Sequence, residues 1–251
     1  MLHRELGLRI DRWLQKSWAT LLFRGVCGAL GMRLLDAEGP EADPERPVLV
    51  LVRHSSILDV FMPILFVANC GHPKLRYVIK SQLKSNGLLD LVGQRLPNAF
   101  IDRMRSEESR AAVHRLGEGL APGGGVVIYP EGSRMTSKRR QQAIQRLEDA
   151  GHLDHAERAR ALKHLMPPRP GGVLALLDQV PEAQICFMAH AGVEHLTGFA
   201  HAVSGKVYGK AIRVHRTIIE PEAIPEETDA RVEWLWQHWE AMDEWLERNP
   251  D

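Results

Sequence analysis

A histidine and an aspartate lie five residues apart at the end of an aliphatic run, where the two side chains could act together as a base. Residues 49–60 read LVLVRHSSILDV, so His54 and Asp59 directly follow the apolar residues. An aspartate beside one imidazole nitrogen sets the tautomer of the ring and raises its basicity, which leaves the other nitrogen free to take a proton. His54 is therefore a candidate catalytic base that Asp59 would orient, whereas a capping or core histidine is the alternative if His54 is considered alone.

The two side chains can meet only if the chain changes direction between them. In a continuous helix, residues five apart are rotated by about 140° and point to different faces. A strand that ends before His54, followed by a helix that Ser55 or Ser56 caps and that continues to about residue 69, supplies this change. The predicted base thus depends on a bend between strand and helix.

The same spacing recurs at His238 and Asp243 near the end of the sequence. Both residues lie within a predicted helix, where the geometry fails. We interpret this second pair as a coincidence on a solvated helix face, so spacing alone does not identify a site.

Two more groups of polar residues follow short apolar segments. Residues 99–103 read AFIDR, and residues 126–134 read VVIYPEGSR. Arginine offers a planar fork of donors that suits phosphate oxygens, and a glycine turn lets an anion approach exposed backbone amides. Local charge pairing at the surface is the alternative for each group. Taken together with the histidine and aspartate, these polar groups at predicted strand ends indicate a binding site that includes Arg103, Glu131, Gly132, Ser133 and Arg134.

Strands alternate with helices along most of the chain, which is typical of an α/β fold. The predicted strands lie at 48–52, 77–79, 99–101, 126–129, 184–189 and near 206–219. We predict a mostly parallel central sheet flanked by helices, with helices at 106–120, 137–165 and 173–179 among them. Ligands bind beyond the carboxyl ends of the strands in such sheets, which is where His54 and Glu131 would lie.

The two ends of the chain differ from its centre. Residues 1–35 are predicted to form amphipathic helices, and 36–251 a single α/β domain with a charged helical insert at about 135–168 and a Trp-rich helix at about 229–248.

No 18-residue stretch lacks charges, so a membrane-spanning helix is not expected, and no signal peptide is recognisable. One arc of the first helix is apolar and borders Arg9, Arg12 and Lys16; the arc contains Leu6, Ile10, Trp13, Leu14, Trp18 and Leu21. This arc suits either the lipid headgroup layer or a surface of the same domain.

Composition excludes several classes of protein. Lys and Arg balance Asp and Glu, and the isoelectric point is about 7.2, so a nucleic-acid partner is not expected. The three cysteines are far apart in sequence, which indicates core thiols in a reducing compartment rather than a disulfide framework. No cluster with metal-ligand spacing is present, so no metal is expected.

The segments RHSSILD, AFIDR and YPEGSR, in that order, resemble the first three motif blocks of the glycerophospholipid acyltransferases, the family of 1-acylglycerol-3-phosphate acyltransferases. The similarity covers roughly residues 48–195. It implies that His54 is the catalytic histidine and Asp59 its charge-relay partner, that Arg103 holds the phosphate of the acceptor, and that the third block serves acceptor binding. The segment QICFMAH at 184–190 replaces the Val-Pro signature of the fourth block, so we assign no site residue there.

The resemblance implies an enzyme that moves a fatty acyl chain from a thioester to the hydroxyl of a lysophospholipid, above all 1-acylglycerol-3-phosphate. Acyl-CoA or acyl-carrier protein would be the co-substrate, with no cofactor and no covalent acyl-enzyme. The protein would bind the cytoplasmic side of a membrane peripherally. Backbone amides near Ser55 are expected to stabilise the oxyanion.

Two other functions remain open from the sequence. One is a transacylase that moves chains between a phospholipid and a lysophospholipid. The other is a non-catalytic membrane lipid-binding module, although such a module has little use for a poised base.

Overall fold

The computed structural model describes residues 2–80, 98–101, 106–198 and 205–250. In these residues seven strands form one sheet in the order β1-β7-β6-β2-β5-β3-β4. All neighbouring strands are parallel except β6 and β7, which are antiparallel. The strands are β1 Arg33–Leu34, β2 Val48–Val52, β3 Lys74–Lys80, β4 Ala99–Ile101, β5 Gly124–Ile128, β6 Gln184–Ala191 and β7 Ala211–Ile219. The prediction of an α/β fold with a mostly parallel sheet is confirmed.

Seven α-helices accompany the sheet in the described part of the chain. They are α1 Leu2–Ala29, α2 Met62–Phe66, α3 Ser106–Gly117, α4 Ser137–Asp149, α5 Leu153–Ala161, α6 Pro170–Gln179 and α7 Thr228–Arg248. The predicted helix over 137–165 is two helices, because Gly151 has a φ of 77° and ends the first of them.

The predicted helix from Ser55 to about residue 69 is also wrong in detail. A 3₁₀ turn over Asp59–Phe61 leads into α2, and a second 3₁₀ turn covers Ala68–Cys70. The backbone leaves helical geometry at Val67, whose φ is −126°. The helical turns therefore begin at the aspartate rather than at the serines, which leaves the preceding residues free to form a loop.

The sheet separates two apolar cores. Strand β2 lies in the middle of the sheet and all five of its residues are buried, which explains its unbroken aliphatic sequence. Leu49 and Leu51 face the core under α3, α6 and α7. Val50 and Val52 face the opposite core, which α1 and the helical turns over 57–70 cover.

Asp243 on α7 is buried, so our interpretation of a solvated pair on this helix is wrong. Its carboxylate accepts three amide hydrogen bonds of 2.8 Å, from Lys163, His164 and Leu165. The ring of His238 stacks on Phe187, with the ring centres 4.9 Å apart. Helix α7 thus fixes the segment 163–169, which continues to the edge of the sheet where strands β2 and β5 end.

The apolar arc of α1 is largely exposed, and its contact with the domain is made by Trp18, whose ring centre lies 6.4 Å from that of Phe61. Its six large side chains are between 43% and 73% exposed, while Ala19, Phe23 and Cys27 on the other side of the helix are buried. The ring of Phe23 contacts Phe61, next to Asp59. Over most of its length, the arc is therefore not covered by the described part of its own domain. Within the described residues, no helix is long and apolar enough to cross a membrane.

Candidate active site

The chain bends between His54 and Asp59 as the sequence requires. Strand β2 ends at Val52, residues 53–58 form a loop, and Asp59 opens the 3₁₀ turn. Nδ1 of His54 lies 2.8 Å from Oδ2 of Asp59. The aspartate side chain is fully buried, whereas that of the histidine is 23% exposed. The imidazole is therefore held at the protein surface by a carboxylate beneath it.

The Asp59 carboxylate also shapes the loop that leads to it. It accepts hydrogen bonds from the amides of Ser55 at 2.7 Å and Ser56 at 2.9 Å. Burial alone would raise the pKa of Asp59, but the neighbouring His190 and His54 outweigh it and lower this pKa to about 2. Asp59 is thus ionised near neutral pH, so neutral His54 carries its proton on Nδ1 and presents Nε2 as the basic nitrogen.

These bonds contradict the expected oxyanion site. The amides of Ser55 and Ser56 both point to Asp59, the amide of Ile57 donates to the Leu196 carbonyl, and that of Leu58 donates to Ser56 Oγ. No amide of this short run remains to bind an oxyanion. The physical reason is that a buried, ionised carboxylate must be compensated by hydrogen-bond donors, and the amides of Ser55 and Ser56 supply them.

Glu131, at the end of β5, supports the loop over residues 53–58 from the protein interior. Its side chain is buried, and its Oε1 accepts the amide hydrogen of His54 at 3.0 Å. We predicted that this residue contacts the acceptor, but its burial and its bond to the backbone place it behind the site. Burial raises its pKa to about 8.

The raised pKa gives a testable dependence of stability on pH. The folded chain holds a proton on Glu131 that the unfolded chain, with an ordinary value of 4.5, has released, so this group lowers stability as pH rises from 4.5 to about 8. We expect Glu131→Gln, which is neutral and isosteric, to remove this loss. The unfolding free energy of the wild type, measured with urea, should fall relative to the variant by roughly 2–4 kcal/mol between pH 5 and 8.

Glu157→Gln, at an exposed position of α5, is the matched control for this change and should leave the pH dependence as it is. Parallel curves for the wild type and Glu131→Gln would contradict the expected buried, protonated carboxyl group.

The other residues of the third motif lie along the rim. Gly132 has a φ of 70°, and a side chain there would come within 3.4 Å of Arg169. Ser133 Oγ lies 4.0 Å from the sulfur of Met166. Arg134 is partly exposed, and its Nη1 donates to the Thr197 carbonyl at 2.5 Å. The predicted phosphate ligand Arg103 lies outside the described residues.

Arg53 precedes the histidine and is buried. Its Nη1 donates to the His190 carbonyl at 2.5 Å and to Glu194 Oε1 at 2.6 Å, and its Nη2 donates to the His164 carbonyl at 3.3 Å. This guanidinium ties β2 to the end of β6 and to the segment that α7 fixes, so it supports the site rather than facing a ligand.

Two neighbours of the pair were not predicted from the sequence. The ring of Tyr129 lies 4.8 Å from that of His54, centre to centre, and its hydroxyl is 3.4 Å from the Asp59 carbonyl oxygen. Nε2 of His190 on β6 lies 3.2 Å from Asp59 Oδ1. The sequence signal that could have indicated His190 is a single histidine within an otherwise apolar stretch of a predicted strand.

The arrangement of His54 and Asp59 suits proton transfer. Across the described residues, no three or more metal-ligating side chains converge. The carboxylate of Asp59 is saturated by imidazole and amide donors, and the histidine above it is free to take a proton from a bound hydroxyl.

The chain is similar to known proteins. A model of the Acyltransferase family matches residues 35–178, more than half of the chain, including His54, Asp59 and the third motif. The lyso-ornithine lipid O-acyltransferase of Rhizobium meliloti (strain 1021) is 31% identical over 134 residues, which are 53% of this chain and 42% of that protein. A probable 1-acyl-sn-glycerol-3-phosphate acyltransferase of Mycoplasma pneumoniae is 29% identical over 101 residues, 40% of this chain and 38% of the relative.

The chain thus matches less than half the length of these two relatives. A solved structure, that of the 1-acyl-sn-glycerophosphate acyltransferase PlsC from Thermotoga maritima, superposes with a TM-score of 0.56 at 14% identity, over 97% of this chain and 81% of that one. This similarity shows a shared fold. With the family match over the region that contains the histidine–aspartate pair, it shows that the chain belongs to the Acyltransferase family.

Proposed function

We propose that the protein transfers a fatty acyl chain from a thioester to the hydroxyl of a lysophospholipid, with 1-acylglycerol-3-phosphate as the first candidate acceptor. The observation that carries this proposal is the 2.8 Å contact between His54 Nδ1 and the buried, ionised Asp59. Such a contact leaves Nε2 of a partly exposed imidazole available as a base.

The reaction needs only one proton carrier. Nε2 of His54 takes the proton of the acceptor hydroxyl as its oxygen attacks the thioester carbonyl carbon. The C–O bond forms, the C–S bond breaks, and the proton on His54 passes to the leaving thiolate. The negative charge of Asp59 stabilises the imidazolium that exists between these two steps.

Arg134 and Arg103 are proposed to hold the phosphate of the acceptor and so to place its hydroxyl beside His54. Arg134 fits this role by its position, since it follows β5 by six residues and is partly exposed. Gly132, with Ser133 beside it, would let the headgroup approach the turn. Glu131 would contribute by supporting the backbone of His54.

A lyso-ornithine lipid is a second candidate acceptor, because the Rhizobium meliloti relative is named for that substrate. The decisive experiment presents the purified full chain with a panel of lysophospholipids and lyso-ornithine lipid. Acyl-CoA, acyl-carrier protein and intact phospholipid are tested separately as donors, and products are identified by mass spectrometry.

We expect transfer from a thioester to at least one acceptor. Transfer from phospholipid alone would identify a transacylase instead. Lipid binding with no transfer from any donor would refute the enzymatic proposal and support the lipid-binding module.

We also propose that α1 binds the membrane surface on its cytoplasmic side. Its exposed apolar arc lies beside Arg9, Arg12 and Lys16, a pairing typical of helices that lie in the headgroup layer. This position would bring lipid substrates to an active site that α1 already contacts through Phe61.

The double variant Trp13→Ser/Leu21→Ser should bind vesicles at least about tenfold more weakly than the wild type, because each large side chain contributes roughly 1.5–3 kcal/mol when it leaves water. Sedimentation with vesicles of phosphatidylethanolamine and phosphatidylglycerol measures this. Leu153→Ser, at a 65% exposed leucine of α5, is the control and should bind normally. Equal binding by all three proteins would rule out α1 as the membrane contact.

A further inference from the structure

The Asp59 carboxylate lies between two imidazoles. Oδ2 contacts Nδ1 of His54 at 2.8 Å, and Oδ1 lies 3.2 Å from Nε2 of His190. The first ring is partly exposed and the second is fully buried. Only the first can therefore meet a substrate, and the second must act through the carboxylate if it acts at all.

The place of His190 in the fold does not explain its side chain. It is on β6, where every residue is buried, and by strand alternation it faces the same core as Cys186 and Met188. Among the described residues, neither ring nitrogen makes a well-aligned hydrogen bond, and the approach of Nε2 to Asp59 Oδ1 is the polar contact that this ring makes. An apolar side chain would fill this position without burying polar atoms.

The backbone role of this residue also does not require an imidazole. Its carbonyl accepts the bond from Arg53, which any amino acid at this position would do. Among the described side chains, the polar group that the His190 ring contacts is the Asp59 carboxylate.

Other charged or titratable groups lie on the elements that surround the two rings. In the described part of the chain these include Arg53 after β2, Tyr77 on β3, Tyr129 and Glu131 at the end of β5, Glu194 and His195 after β6, and Arg216 on β7. Arg53 is paired with Glu194, and Arg216 is held by the carbonyls of Gly39 and Phe66. Glu131 is bound to the His54 amide.

We propose that His190 is a positioning residue that shares the Asp59 carboxylate with His54 and thereby sets the pH range in which His54 is a free base. This proposal rests on the acyl transfer proposed above. An N–H dipole or positive charge at His190 Nε2 takes up part of the field of Asp59. Less of that field then remains to stabilise a proton on His54, so His54 stays deprotonated to lower pH.

The test is the acid limb of the kcat/KM profile, where activity is lost as the base becomes protonated. His190→Leu removes the N–H group and should move this limb to higher pH by about one unit. Activity should fall by up to about tenfold at pH values below the wild-type limb and return to within about threefold of the wild type at pH 9. His190→Gln places an amide N–H near the position of Nε2 and should keep the limb close to that of the wild type.

His72→Leu is the matched control. His72 is also fully buried, and its Nε2 lies 3.1 Å from the carbonyl oxygen of Arg46. This change should lower the melting temperature without moving the limb. If His190→Leu does not fold, His190→Asn replaces it as the test variant. The amide of asparagine lies near the position of Nδ1, so no N–H group remains beside Oδ1 of Asp59.

An unmoved acid limb in the folded variants would overturn the proposal, as would an equal shift in His72→Leu. A readout without substrate separates this outcome from failure of the proposed function. Carbon-13 labelling of the histidines lets the ring signal of His54 be followed against pH by NMR. The same upward shift is expected in His190→Leu, whether or not an acyl acceptor has been found.

Discussion

Replacement of His54 by alanine is expected to lower acyl transfer by at least about a thousandfold while the protein remains folded. A positioned general base typically contributes between about 10² and 10⁴ to a rate, and nothing else in the described site is placed to accept the proton of the acceptor hydroxyl. The loss of folding stability should be small, because the His54 side chain is 23% exposed and Asp59 keeps its bonds to two amides.

The measurement is kcat for the best donor and acceptor pair, with a thermal melt to establish folding. The KM for the acceptor should change little, since the proposed phosphate contacts lie on Arg103 and Arg134. His152→Ala, an exposed histidine before α5, is the control and should keep wild-type turnover. Turnover within tenfold of the wild type in His54→Ala would end the proposed mechanism.

The His54–Asp59 contact was predictable because both of its requirements are local. Five consecutive aliphatic residues followed by polar ones predict where β2 ends, and a bend directly after a strand needs no distant partner. The exact form of the bend was not predictable. The carboxylate of Asp59 binds the amides of Ser55 and Ser56, so the serines belong to a loop and do not cap a helix.

Residues whose role depends on distant contacts were misread or missed. Asp243 looks solvated by helical periodicity, and only the docking of the segment 163–169 buries it. Strand β1 is two residues long and exists through its pairing with β7, which no local pattern indicates. His190 approaches Asp59 across 131 positions of sequence, in a segment where the resemblance to known motifs ends.

The orientation of the Glu131 side chain was also not predictable from the sequence. Its position after β5 was predicted correctly, but a motif does not reveal whether a side chain faces a ligand or the protein interior. The bond from the His54 amide settles this for the folded chain. The third motif therefore combines a buried brace with an exposed cation, Arg134, within four residues.

The replacement Asp59→Asn should combine a large loss of activity with a loss of stability. Among the described residues, this carboxylate accepts bonds from two amides and contacts Nδ1 of His54, and Nε2 of His190 lies nearby at 3.2 Å. An asparagine would turn its own NH₂ group toward one of them. If that neighbour is His54, the ring adopts the opposite tautomer and its outward nitrogen carries a hydrogen instead of accepting one.

We expect kcat to fall by roughly 10³–10⁴-fold, because both the free-base nitrogen and the negative charge that stabilises the imidazolium are lost. The pKa of Asp59 is lowered from 3.8 to about 2 in the folded chain. A depressed carboxyl pKa stabilises the fold above the unfolded value, and this contribution, on the order of 2 kcal/mol, is lost as pH falls through about 2.

The difference in unfolding free energy between the wild type and Asp59→Asn should therefore shrink as pH falls below 4. Asp243→Asn is the matched control, since that carboxylate is also buried and accepts three amide bonds. It should cost stability but retain most of the turnover, because no imidazole depends on it for its tautomer. A folded Asp59→Asn protein with more than a tenth of wild-type kcat would show that the charge beneath His54 is not required, and the base would then have to act without the carboxylate that the fold places against it.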